Sequence, residues 1–182
     1  MKINENGVET TITIDEGCLE NLISLPHKIL KHHEVVGLEQ MLLHELGHDN
    51  NFGLKKAGYL IDNPDFDCLK GVAGYCRDEC NLHKTDLWEN PHTFTSDMQN
   101  AKFHNSMNSF LHNASLGKKD AHIHDENDLH ELGLRLGMNN PSFFTWDMKH
   151  GNHGIFIFED DEQGKVRRRD WLRNIVALLS LC

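Results

Sequence analysis

No stretch of this 182-residue chain approaches the roughly 18 consecutive apolar residues of a membrane span, so no membrane-crossing helix is expected. Residues 1–17, MKINENGVETTITIDEG, hold no apolar segment of the kind a secretory leader needs. The expected location is therefore cytoplasmic, or outside the cell by a route without a classical signal. Positive charge is scarce: 18 Lys and Arg stand against 28 Asp and Glu, for a net charge of -10 with neutral His. A phosphate-backbone binder carries the opposite sign, and no nucleic-acid partner is expected. Cysteine is sparse and odd in number, with Cys18, Cys68, Cys76, Cys80 and Cys182, which argues against a disulfide framework. No Pro/Ser-rich or low-complexity tract marks a linker. A single domain over 1–182 is expected, with room for a subdomain over 95–182.

What the chain has in quantity is histidine, 14 in all. Imidazole in such number signals either a metal site or a pH-sensitive surface, and composition alone does not choose. The apolar pattern is mostly helical. Residues 17–31 read as a short helix or two turns, interrupted by Pro26. Residues 33–49 give the clearest helix, with Val35, Leu38, Leu42 and Leu46 on one face. Asn63-Pro64 looks like an N-cap followed by proline at the first helical position, opening a helix to about residue 83. Further helices are expected over 97–115, with Ser96 and Gln99 as a capping box, over 126–138 and over 170–181. Strands are expected at 10–15 and 154–159, with a partner strand in KVRRR. The expected class is α+β, helix-dominated, with a small sheet.

The helix over 33–49 carries His44-Glu45-Leu46-Gly47-His48, an HExxH motif. Two imidazoles that share one metal must lie on the same side of a helix, and positions i and i+4 are about 40° apart around its axis. The Glu after the first His lies beside the pair, where it can take the proton of a metal-bound water. The Leu/Val stripe falls nearly opposite His44 and His48, so one face of the helix could be buried and the other turned to a cleft. Fourteen histidines make chance matches commoner; His33-Glu34 and His130-Glu131 are His-Glu pairs without the second His.

MLLHELGHD resembles the active-site helix of the zincin metalloproteases, over about fifteen residues from Glu39 to Gly53. The resemblance implies a zincin-like domain with one zinc per chain, His44 and His48 as ligands, and Glu45 as general base. The metzincin continuation HExxHxxGxxH fails, because Asn51 and Leu54 stand where its Gly and third His belong. A gluzincin-like arrangement is then implied, with an acidic third ligand on a later helix. Glu79, in RDECN, fits that role; Cys76, Cys80 and His83 fall on the same side of the expected helix and stay open as alternatives.

Other groups compete for a chemical role. His122-x-His124 is a possible metal pair, though a solvated loop is the plainer reading. Cys68, Cys76, Cys80 and His83 could form a structural zinc site, but the three cysteines also read as small buried apolar groups. Arg167, Arg168 and Arg169 form a short basic run, read as a solvated strand end. Tyr75, His150 and His153 are candidates to stabilise an oxyanion. The expected function is zinc-dependent endopeptidase action on a protein or peptide substrate. The competing expectation is a His-rich module that binds metal or a protein partner without catalysis, or a metal-dependent hydrolase of a non-peptide substrate.

Overall fold

The chain was analysed as a computed structural model that describes residues 16–82, 86–112, 125–160 and 169–182. The expected strands at 10–15 and in KVRRR lie outside the described residues, apart from Arg169, which begins a helix.

The elements in chain order are α1 (Glu16–Lys31), α2 (Leu38–Gly47), β1 (Lys56–Asn63), β2 (Cys68–Cys76), α3 (Pro91–Met98), α4 (Lys102–Asn108), β3 (Leu111–His112), α5 (Glu126–Arg135), β4 (Pro141–Asp147), β5 (His153–Glu159) and α6 (Arg169–Val176). Short 3-10 turns follow β2 at Arg77–Leu82 and α6 at Ala177–Leu181. The five strands form one antiparallel sheet in the order β3-β2-β1-β5-β4. The α+β class therefore holds. Its organiser is a five-stranded sheet with helices on both sides.

Strand alternation gives each face its own core. Ala57 and Tyr59 of β1, Ala73 and Tyr75 of β2, and Phe156 and Phe158 of β5 face α1, α2, α3 and α6. Leu60, Leu69, Ile155 and Ile157 face the other way, onto Met107 of α4 and Leu129 and Leu132 of α5. α2 lies on β1 and β2. Its residues Leu38, Met41, Leu42, Leu43 and Leu46 are all buried, so it is wrapped on nearly every side.

Three departures from the sequence pattern have physical causes. The segment expected as a helix from residue 64 is the β1–β2 hairpin. Asn63 Oδ1 accepts from the backbone N–H groups of Asp65 and Phe66 at 3.1 and 3.2 Å, the same chemistry as an N-cap, but here it closes a turn. β2 then bulges: Tyr59 pairs with Ala73 and Leu60 with Gly71, leaving Val72 extra. The bulge moves Leu69 and Tyr75 to opposite faces, which breaks the period of two and mimics helical spacing. Next, the described part of the helix expected over 97–115 holds the end of α3, the separate helix α4 and the short strand β3, with Gln99 closing α3 instead of capping a helix start; residues 113–115 lie outside the described residues. Last, α5 stops at Arg135, three residues short of the expected end: Leu136 caps it and Gly137, at φ +76°, turns the chain, so Asn139-Asn140-Pro141 does not close the helix and Pro141 instead begins β4. As the first residue of an edge strand it costs no ladder bond.

Candidate functional site

The HExxH helix is shorter than its sequence suggests. α2 ends at Gly47, and His48 leaves it with extended backbone (φ -60°, ψ 147°). Tyr75 sets this end. Its hydroxyl donates to the Gly47 carbonyl at 2.9 Å, and a Cβ on Gly47 would sit 2.5 Å from two of its ring carbons. Gly47 admits a close neighbour, and that neighbour is the β2 side chain of Tyr75. His44 is buried, edge-on to the rings of Tyr75 and Phe94 at centroid distances of 5.1 and 4.9 Å. His48 is exposed, and its Nδ1 accepts from the Asn50 N–H at 3.3 Å. One imidazole is thus in the core and the other in solvent. Among the described residues no group of three His, Cys, Asp or Glu side chains could hold a metal ion. The zincin identification is thereby overturned: the donor set that a zinc at His44, His48 and Glu79 requires is not assembled.

Glu45 is part of a packed polar junction. It accepts from Trp88 Nε1 at 2.9 Å and from Asn51 Nδ2 at 3.4 Å, and Lys28 Nζ lies 3.9 Å away. Lys28 also stands over the Trp88 ring at 5.5 Å. Glu45 therefore ties α1, α2 and the loops on either side of the hairpin together. Glu79 lies in the 3-10 turn after β2, and both its carboxylate oxygens accept from the Phe103 N–H at 3.0 Å. It caps the start of α4, where a negative charge meets free backbone N–H groups. His153, on β5, lies between two carboxylates, with Asp62 3.8 Å from Nδ1 and Asp147 3.9 Å from Nε2. His150 sits in the β4–β5 turn with φ +63°. Cys76 is buried, and burial pushes its thiol pKa up, as suits a small apolar core group. His83, His122, His124, Arg167 and Arg168 lie outside the described residues.

A cleft of about 410 Å³ opens along the outer edge of β2, next to its short pairing with β3. Its walls are the start of α2, the stretch Lys70–Val72, and the facing sides of α3 and α4. Buried Gln40 fixes its inner end. The amide donates to the Gly74 carbonyl at 2.6 Å and accepts from the Gly74 N–H at 3.1 Å, pairing with β2 as a strand would. Phe94 and Met98 are buried apolar lining. His104 also lines the cleft. Its Nε2 lies 3.0 Å from Asn108 Nδ2, while its buried Nδ1 has no hydrogen-bond partner. Burial lowers the His104 pKa, which favours the neutral ring. A second cavity of about 440 Å³ lies on the β4 edge, between Phe144 and the guanidinium groups of Arg169 and Arg173.

The motif helix hid these cleft residues. A Gln between Leu38 and Met41 was the available signal, since an amide inside an apolar run must find buried partners. Lys70 and His104 carried no signal at all.

No protein-family model matches the chain, and no curated protein does. A solved structure described as SdiA in complex with octanoyl-rac-glycerol is similar at a TM-score of 0.33 and 14% identity, over 91% of this chain and 62% of that one. A likeness at that level carries no argument about fold or ligand. The chain spans less than two thirds of that structure's length.

Proposed function

We propose that this chain is a binding domain without catalysis, and that it takes a small polar molecule in the cleft between α2, β2, α3 and α4. The observation that carries the reading is the lining of that cleft. It has an apolar side in Phe94 and Met98, an anchored amide in Gln40, and a partnerless buried nitrogen in His104. Apolar lining with a few placed polar groups is the usual make-up of a ligand site, and the volume falls within the range of about 300–1,000 Å³ for such sites. The surroundings of His44, Glu45 and Glu79 support the same reading from the other side. Each is engaged in packing or capping, which leaves the motif a structural part of the core.

Ligand-observed NMR with mixtures of small polar molecules tests this. Binders are expected to the wild-type chain and to be lost in Val36→Trp, which places a ring at the cleft wall from a position that is 84% exposed and free of core packing. Binding that survives Val36→Trp unchanged, or cleavage of an unbiased peptide library by the metal-supplemented protein, would overturn the proposal.

A further inference from the structure

The ligand class follows from three groups on the cleft wall, and this step rests on the cleft reading above. Glu39, in the first turn of α2, and Lys70, on β2, line the same cleft from different elements. Among the described residues neither takes part in an ion pair. Opposite charges on the walls of one cleft, neither held in an ion pair among the described residues, suit a ligand that carries both signs. A dianion would be repelled by Glu39 and a dication by Lys70. An uncharged apolar molecule would desolvate both charges without compensation.

His104 adds direction. Asn108 Nδ2 can only donate, so His104 Nε2 accepts and the ring proton is on Nδ1. That N–H is buried with no acceptor, a rare condition because an unmet buried donor is costly. A carboxylate would satisfy it, and Lys70 on the wall of the same cleft supplies the matching charge. The remaining lining at Val72, Phe94 and Met98 is apolar and suits a hydrocarbon side chain. We propose that the cleft binds a free α-amino acid with an apolar side chain: carboxylate toward Lys70 and His104, ammonium toward Glu39, side chain on Val72, Phe94 and Met98.

Isothermal titration of the full chain with L-leucine, L-leucinamide and N-acetyl-L-leucine tests the assignment. L-leucine should bind one-to-one. Each blocked analogue, having lost one charge, should bind about tenfold or more weakly, as loss of one charge-assisted contact implies. Lys70→Gln should remove the preference for leucine over leucinamide but keep that over N-acetyl-leucine. Glu39→Gln should do the reverse. Equal binding of all three ligands to the wild type, or variants that leave both preferences intact, overturns the proposal. If leucine fails to bind but other small molecules bind and are lost in Val36→Trp, the amino-acid class is wrong and the cleft reading stands. If no small molecule binds a chain that melts cooperatively, both fall.

Discussion

Gly47 occupies a position where a methyl group has no room. Its would-be Cβ meets the Tyr75 ring at 2.5 Å, and the ring is held by its own hydrogen bond to Gly47. Gly47→Ala should therefore destabilise the fold by about 1–3 kcal/mol, the usual cost of overpacking, although alanine is the better helix former. Urea denaturation measures this, and an unchanged midpoint would show that Tyr75 moves freely. Glu45 makes a second forecast at the same scale. Glu45→Ala strands the Trp88 indole N–H, which is buried, and should cost about 1–3 kcal/mol. Glu45→Gln keeps an oxygen for that N–H and should cost clearly less. This ordering, read from denaturation midpoints, is what a structural Glu45 requires. If the two variants are equally stable, the Trp88 contact contributes nothing.

The end of β5 carries a pH-sensitive tie. Burial alone would raise the Glu159 pKa, but the Lys55 ammonium at 2.9 Å and the Asn139 backbone and amide N–H groups outweigh it and hold the carboxyl below its ordinary 4.5. A depressed folded value means that the charged form stabilises the native state. The contribution is complete above the unfolded value and is lost as pH falls below it, through the folded value. Thermal melts between pH 6 and pH 3 should show the wild type losing more stability than Glu159→Gln; parallel curves would exclude the tie. Elements of this kind were unevenly legible in the sequence. α1, α5 and α6 could be read because each buries one regular face, such as Leu129 and Leu132 in α5, and β5 because it is a short, wholly apolar run buried on both faces. β2 could not, because its register changes at Val72 and each half obeys a different face. β4 could not, because Pro141 reads as a terminator unless it is known to open an edge strand, where its missing N–H costs nothing. At the site, the HExxH letters were legible but their exposure was not. Whether His44 meets solvent or Phe94 depends on α3, some 50 residues away in the chain.

For the molecule as a whole, the buried His44 and exposed His48 predict indifference to metal. A strong chelator should leave the melting temperature of the purified chain unchanged, and His44→Ala should cost stability, about 1–3 kcal/mol, by opening the core between Tyr75 and Phe94. A stoichiometric zinc that survives dialysis and is lost with His44→Ala would count decisively against this. The sheet has one more consequence, for how the molecule comes into being. Its central strand β1 bonds to β2 through a short hairpin, but its other edge waits for β5, with Lys55 meeting Glu159 across 104 residues of sequence. Loop closure on that scale slows folding. During synthesis the hairpin must persist with one edge open until β5, His153–Glu159, has left the ribosome. Nascent chains stalled before residue 153 are therefore the form of this protein most exposed to proteases and most in need of chaperones.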